Sequence, residues 1–325
     1  MPRVTLPDGS VKEFDGPVSA FDVAMSIGER LARAAVGATI DGELSDLSTV
    51  IENDCELALV TPTTREKEPD PDALFLCRHS AAHVMAEAIQ RIVPGAELVY
   101  GPPLDTGFYY DIAFPEDRPL REGDFEAIEK EMAAIVKEDR PFTRYELDAE
   151  PGLDKLDDEG SKYKLDNAVR ALEAGGLTVH YEHQELQDGR TGESRTIVNH
   201  SGGSEPAPAL SFYATGTPGE NWEDLCRGPH VPSTGRIGAI KVMSLASSYW
   251  HGDENSDRLT RVYGTAFGSA KELNKHLTQL EEARARDHRV IGRKLGLFHI
   301  DEQVGQGLIL WTPKGSVIRN ELSAF

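Results

Sequence analysis

Two histidines four positions apart, His79 and His83, are the residues of this sequence best suited to shared chemistry. They lie in a segment, 72–93, whose apolar spacing predicts a helix, and at 100° per residue the two side chains point about 40° apart. The bulky apolar side chains centre on the opposite side of that helix: Leu74, Met85, Ile89 and Ile92. We therefore predict that both imidazoles face a second surface or a cavity. The pattern lacks the glutamate of HExxH, which disfavours a zinc protease.

A second group with chemical potential follows far downstream, in the stretch DLCRGPH, which contains Asp224, Cys226 and His230. With His79 and His83, the cysteine and this third histidine have the types and number of zinc ligands. The same side chains also suit hydrolysis without a metal, because imidazoles can position water and transfer protons. A nucleophilic Cys226 and purely structural roles are the other interpretations.

The first element expected around these residues is a small domain over residues 1–62. Alternating apolar residues on either side of Asp8-Gly9 predict a hairpin, and the stretch 19–32, capped by Ser19, predicts one helix. Two more strands follow, around 36–42 and 55–60. The resulting β-β-α-β-β order predicts a β-grasp fold, and the proline-containing segment 63–72 reads as a linker.

The remainder alternates strands and helices without a regular βαβ rhythm, which predicts an α+β multidomain protein. Asp72 is the expected N-cap of the histidine helix, and Pro94-Gly95 its end. Further predictions are helices within 148–172, a hairpin and loop over 186–210, and a single connecting helix from Ser269 to about Lys294. The predicted domain bounds are 73–242 and 243–295 for the second domain with its connecting helix, and 296–325 for the start of a third.

Composition restricts the class of protein. The chain has 325 residues and a formal net charge of −21, but residues 1–235 contain 21 basic and 45 acidic residues, whereas residues 236–296 contain 11 and 7. A locally basic segment can still contact a phosphate backbone. Three cysteines, Cys55, Cys77 and Cys226, do not form a disulfide framework, and the N-terminus lacks a signal peptide. We expect a cytoplasmic protein and no membrane partner.

Several stretches, taken in order, resemble the bacterial threonyl-tRNA synthetase family. They are the β-grasp unit, which resembles a TGS domain, then HSAAH at 79–83, GFYYDI at 107–112, DLCRGPHVPSTGRIGAIKVMSLASSYWHGDE at 224–254 and LTRVYGTAF at 259–267. The similarity extends from Val4 to Leu322. It implies a TGS domain, an editing (second additional) domain and the first part of a class II synthetase catalytic domain.

The resemblance also implies roles for individual residues. In this family the two histidine-containing motifs line an editing site that hydrolyses serine mis-attached to tRNA(Thr). Here the expected catalytic residues are His79, His83, Cys226, His230, Lys164 and Asp224, with Tyr110 binding substrate. Lys162 is the other candidate for the lysine. The related alanyl editing domains imply zinc at His79, His83, Cys226 and His230 as an alternative to a metal-free site. A low-ranked expectation is tRNA contact by Arg284, Arg286, Arg289, Arg293 and Lys294.

In this family ATP, Mg²⁺ and one catalytic Zn²⁺ bind at residues that would lie beyond position 325. The resemblance thus implies threonine–tRNA ligation by a longer, homodimeric enzyme, whereas these 325 residues alone are expected to be monomeric, to bind no cofactor and to edit without charging tRNA. The expected partners are tRNA(Thr), threonine and Ser-tRNA(Thr). The alternative is a non-catalytic RNA-binding or regulatory module, since TGS domains also occur in GTPases and stringent-response proteins.

Overall fold

A computed structural model describes residues 1–64, 66–175, 177–185, 191–199, 209–301, 303–305 and 307–325. The chain divides into two compact units, Met1–Ser269 and Ala270–Phe325. No helix among the described residues is both long enough and apolar enough to cross a bilayer.

The first unit begins with the predicted β-grasp domain. Its strands are β1 (Arg3–Thr5), β2 (Val11–Glu13), β3 (Val18–Ser19), β4 (Gly37–Ile40), β5 (Glu43–Ser45), β6 (Val50–Ile51) and β7 (Cys55–Val60), and its helices are α1 (Ala20–Ile27) and α2 (Glu29–Ala34). Five strands form a sheet in the order β2-β1-β7-β4-β5, while β3 pairs with β6. Residues such as Val4, Val23 and Leu57 form its buried core.

Local signals in this domain were read correctly with one exception. β1 and β2 form the predicted antiparallel hairpin, in which Gly9 has a φ of 81°, a conformation that glycine adopts without strain. The Ser19 hydroxyl accepts the Asp22 backbone N–H at 3.1 Å and so caps α1. The predicted single helix over 19–32 is wrong, however, because Gly28 has an extended backbone and separates α1 from α2.

The helix that carries the two histidines, α3, extends over Pro71–Ile92. Its N-cap is Asp70 rather than the predicted Asp72, since the Asp70 carboxylate accepts the backbone N–H groups of Asp72 and Ala73. Pro71 suits the first turn, where its missing N–H has no intrahelical partner. The predicted linker therefore overlaps the start of this helix.

The remaining elements of the first unit surround α3. They are β8 (Glu97–Tyr100), β9 (Pro103–Leu104), β10 (Gly107–Ala113), α4 (Phe125–Glu138), β11 (Phe142–Leu147), α5 (Ala149–Asp158), α6 (Lys162–Ala174), β12 (Leu177–Glu185), β13 (Thr191–Asn199), β14 (Leu210–Thr215), β15 (Glu223–Leu225), β16 (Ala239–Tyr249) and β17 (Arg258–Phe267). One antiparallel sheet has the order β16-β17-β10-β8, with β9 beside β10, and a second has the order β11-β14-β15. This arrangement confirms the predicted α+β class.

The predicted helices over 148–172 correspond to α5 and α6, which are separated at Gly160, a residue with a φ of 67°. The hairpin expected over 186–210 is formed by β12 and β13, from Leu177 to Asn199. Residues 186–190 and 200–208 lie outside the described residues.

Helix α3 is buried on nearly every side, because it packs against α4, β10 and β17. Its apolar side chains share one core with Phe108, Ile112 and Ile128 of those elements. The histidine side of the helix is buried as well, with His79 8% and His83 2% exposed. The prediction that this side faces a second surface rather than solvent is therefore confirmed.

Glu87 is the buried acid of α3, with 2% of its side chain exposed. It accepts hydrogen bonds at 2.6 Å from both Arg91 and Arg140. We expect Glu87→Ala to lower the free energy of unfolding by about 3 kcal/mol or more, because it leaves the half-buried Arg140 without its main partner. Urea unfolding followed by circular dichroism measures the change.

The matched control for Glu87 is Glu131→Ala, which removes another carboxylate bonded to Arg91, but one whose side chain is 32% exposed. It should lower the free energy of unfolding by less than about 1 kcal/mol. Equal losses for the two variants would show that burial does not decide the strength of this network.

The second unit contains α7 (Ala270–Ala285), α8 (His288–Lys294), β18 (Phe298–Ile300), β19 (Ile309–Trp311) and α9 (Pro313–Ala324). The predicted single helix from Ser269 to Lys294 is wrong. Asp287 has a non-helical backbone, and its carboxylate accepts the Arg289 N–H, so that it caps α8 and separates this helix from α7. A short polar side chain at an N-cap competes in this way with continuation of a helix.

Candidate active site

The candidate site is the wall of a cavity of about 1080 Å³ in the first unit. α3, β10, α6 and the segment that follows β15 each contribute side chains to this wall. Six of the seven residues predicted for the site lie there: His79, His83, Tyr110, Lys164, Asp224 and Cys226. The seventh, His230, lies behind this wall and is 1% exposed.

The Cys226 thiol lies between two imidazoles. Its Sγ is 3.3 Å from Nε2 of His79 and 3.4 Å from Nε2 of His230, and it also accepts the Gly228 N–H at 3.3 Å. The rings of His79 and His230 are stacked, with centroids 4.2 Å apart. Phe142 stacks on the other face of His230, at 4.8 Å. The two imidazoles and the thiol therefore form one compact cluster.

The hydrogen bonds define which nitrogen of each imidazole carries the proton. His79 Nδ1 lies 3.1 Å from the carbonyl oxygen of Pro229, which can only accept, so Nδ1 is the donor and Nε2 faces the thiol as an acceptor. The Ser80 hydroxyl accepts the Val231 N–H and is therefore free to donate to His230 Nδ1. His230 then directs its Nε2–H at Cys226. Ser80 is a supporting residue that the sequence analysis missed, although it directly follows His79.

His83 completes the histidine group but has a different environment. Its Nε2 is 3.8 Å from a carboxylate oxygen of Asp224. Its Nδ1 is buried and has no hydrogen-bond partner among the described residues. An unpaired buried nitrogen at a cavity wall is a suitable contact for water or a polar substrate group.

Lys164, Asp224 and Tyr110 form the polar side of the site. The Lys164 ammonium is 2.6 Å from Oδ1 of Asp224 and donates to the Tyr110 hydroxyl at 2.8 Å, while that hydroxyl donates to Oδ2 of Asp224 at 2.5 Å. The exposed fraction of each side chain is below a tenth. Lys162, the other candidate lysine, instead pairs with Asp257 at 2.7 Å and is 56% exposed.

Burial decides the charge state of the cluster. Desolvation lowers the pKa of His79 to about 4 and that of His83 to about 3, and it lowers the pKa of His230 well below its usual value. Burial, reinforced by the Asp224 charge, raises the pKa of Cys226 to about 12. At neutral pH the three imidazoles are therefore uncharged and the cysteine is a thiol, which does not support a preformed thiolate nucleophile.

The carboxylate behaves in the opposite way. Burial by itself would raise the pKa of Asp224, but the Lys164 ammonium, together with His83 and the Tyr110 hydroxyl, holds that pKa below its ordinary value. Burial and the neighbouring Asp224 raise the pKa of Tyr110 well above its usual range. The site thus contains one fixed ion pair beside neutral proton donors and acceptors.

The chain also offers a possible metal centre. The potential ligand atoms of His79, His83, Cys226 and His230 all lie within 4.8 Å of one another. The donor set, three imidazoles and a thiol, fits zinc in type and number. These four residues would hold the ion, and a bound zinc would supply a water molecule of lowered pKa.

The five basic residues predicted to contact tRNA all lie in the second unit and are exposed. Two of them have ion-pair partners, since Arg286 pairs with Glu282 and Arg289 with Asp287. Their exposure is compatible with an RNA contact but does not test one.

Comparison with known families identifies the two domains. Residues 2–61 match the TGS domain, and residues 210–263 match the threonyl and alanyl tRNA synthetase second additional domain. The class of protein is therefore an aminoacyl-tRNA synthetase segment in which a TGS domain precedes an editing-type domain.

Whole-chain similarity names the particular enzyme. Threonine–tRNA ligase of Erythrobacter litoralis is 40% identical over 99% of this chain, that of Acidithiobacillus ferrooxidans 41% over 100%, and that of Clostridioides difficile 39% over 100%. The chain covers 43%, 44% and 44% of these relatives, less than half of their length. It corresponds to the N-terminal portion of the threonine–tRNA ligases.

Proposed function

We propose that this chain carries the post-transfer editing activity of a threonine–tRNA ligase, the hydrolysis of the seryl ester of tRNA(Thr). The observation that supports it most strongly is the arrangement at the cavity wall, where the buried Lys164–Asp224 pair lies beside the neutral His83 with its unpaired Nδ1. A protein that only binds RNA has no need for such an arrangement.

The chemical demand for editing comes from the two amino acids. Serine and threonine differ by one methyl group, which binding can discriminate by only about 1–3 kcal/mol. A second pocket that admits the smaller serine and hydrolyses its ester completes the selection. The parent activity, ATP-dependent attachment of threonine to tRNA(Thr), is proposed for the longer enzyme, with ATP, Mg²⁺ and a catalytic Zn²⁺ bound outside these 325 residues.

Ester hydrolysis requires three services that the site can provide. A water molecule attacks the ester carbonyl carbon and loses a proton, for which the neutral His83 is the proposed acceptor. The Lys164 ammonium stabilises the negative charge that develops on the carbonyl oxygen. The carbon–oxygen bond to the ribose then breaks, the ribose oxygen takes the proton back from His83, and serine leaves. Asp224 holds Lys164 in place and orients His83 or the serine amine.

His79, Cys226 and His230 are proposed to shape the same pocket and to relay protons behind His83. This scheme uses no metal. Since the four-residue zinc set is also geometrically possible, the assay is run with and without a chelator. A deacylation rate that is lost with chelator and restored by zinc would replace the metal-free scheme by the zinc alternative.

The test is deacylation of Ser-tRNA(Thr) and Thr-tRNA(Thr) by the purified chain. We expect hydrolysis of the seryl ester, with the threonyl ester slower by about ten- to two-hundredfold, the ratio that a single methylene supplies. Equal rates for the two esters would contradict editing. RNA binding without any hydrolysis, unaffected by substitution of His83 and Lys164, would instead support the regulatory-module alternative.

A further inference from the structure

One residue of the TGS domain extends to the candidate active site. Asp46 follows β5, and its side chain is 9% exposed. Its Oδ1 accepts the backbone N–H of His230 at 2.7 Å, and its Oδ2 accepts the hydroxyl of Tyr213 at 2.5 Å. Both partners belong to the editing domain and are more than 160 positions away in sequence.

The contact is part of a packed interface. Val36 and Val60 of the TGS domain share a buried core with Leu76 of α3, and Leu44 packs against that core. Arg236 of the editing domain also donates to the carbonyl oxygens of Ala34 and Ala35, both at 3.1 Å. Asp46 therefore lies in a region where the two domains are already in contact, and its orientation is restricted by its surroundings.

The two partners of Asp46 both hold the turn formed by Gly228, Pro229 and His230. The Tyr213 hydroxyl lies directly against Gly228, where a Cβ would clash with it. The ring of Tyr213 meets that of His230 edge-on, with centroids 4.5 Å apart. Asp46 thus bonds one end of the turn through its backbone and braces the other through the tyrosine.

The same turn sets the chemistry of the cavity wall. The Pro229 carbonyl accepts the proton of His79 Nδ1, and the Gly228 N–H donates to Cys226 Sγ. Moving the turn would therefore change the tautomer and direction of His79 as well as the position of the thiol. A displacement of about 1 Å at such a site can lower a rate by about a hundredfold.

We propose that the TGS domain is a structural part of the editing site, and that Asp46 is a positioning residue that holds the 228–230 turn and, through it, His79 and Cys226. This inference rests on the proposed editing function for its kinetic readout. Its structural readout, the protection of the His230 backbone N–H, does not depend on that function.

The test compares Asp46→Ala with Asp46→Asn in the full chain. The asparagine keeps an acceptor for the His230 N–H and a polar partner for Tyr213, so it should retain seryl-tRNA hydrolysis within about threefold. The alanine removes both bonds, and we expect kcat to fall by about tenfold or more with KM changed less than about twofold. Hydrogen exchange at the His230 N–H should accelerate in the alanine variant only.

Two controls separate positioning from simple domain docking. Arg236→Ala removes two interface hydrogen bonds that do not touch the turn, and Glu52→Gln changes an exposed carboxylate of the same domain. Both should leave kcat unchanged. A loss for Arg236→Ala as large as for Asp46→Ala would overturn the proposal in favour of docking alone.

The remaining outcomes are also decisive. Full activity and unchanged His230 protection in Asp46→Ala would overturn the positioning role, whatever the wild type does. If the wild-type chain hydrolyses neither ester, the editing proposal fails, and the exchange measurement still decides whether Asp46 holds the turn.

Discussion

Replacing Lys164 by methionine is expected to abolish most seryl-tRNA hydrolysis and also to destabilise the protein. Methionine keeps much of the side-chain volume but leaves Asp224 as a buried carboxylate without its 2.6 Å partner. Loss of one member of a buried ion pair costs about 3–5 kcal/mol of unfolding free energy. Loss of charge stabilisation at the reacting oxygen should lower kcat by about a hundredfold or more.

Two further variants separate these effects. In the double variant Lys164→Met with Asp224→Asn, the unpaired charge is gone, so we expect most of the stability to return while hydrolysis stays low. Lys162→Met is the matched control, since that lysine lies two positions earlier in α6 and forms an exposed pair with Asp257. It should change stability by less than about 1 kcal/mol. Normal hydrolysis by Lys164→Met would refute the proposed role of the ammonium.

The second large effect is expected for His83→Ala, which should lower kcat for seryl-tRNA hydrolysis by about a hundredfold or more, the usual contribution of a general acid–base. Stability should change much less than in Lys164→Met. Deletion of the imidazole also removes the unpaired Nδ1, and a buried unpaired group costs about 1–3 kcal/mol, which offsets the lost packing. Single-turnover deacylation and urea unfolding measure the two quantities.

The control for His83 is His299→Ala, at an exposed histidine of the second unit. It should retain the wild-type rate. An active His83→Ala enzyme would remove this residue as the proton acceptor and transfer that proposed role to His79. A large loss of stability together with the loss of rate would show that His83 acts mainly in packing.

Much of the architecture could be predicted from local patterns. Alternation around Asp8-Gly9 indicates the first hairpin because a two-residue period and a turn-forming glycine are properties of adjacent residues. The capping role of Ser19 and the helical position of the histidine pair are similarly local. The histidines could be assigned to one side of α3 because helical geometry alone relates positions 79 and 83.

Helix boundaries were less accessible because competing local signals are close in free energy. Asp70 and Asp72 are both good N-caps, and the helix begins at the earlier one, where Pro71 can occupy the first turn. The stretch over 269–294 has helical spacing throughout, yet Asp287 caps a new helix within it. A periodic pattern does not reveal whether one polar side chain will bond the backbone instead.

The sequence by itself determined the TGS and editing-domain class, the α+β composition and the group of residues that can act together at the candidate site. Only the tertiary structure decided that Lys164 rather than Lys162 reaches Asp224, that His230 lies behind the cavity wall, and that Asp46 contacts its turn. The reason is physical: these outcomes depend on contacts between residues 60 to 184 positions apart. Such contacts form only when packing of the two domains excludes water, and they leave no periodic trace in the chain.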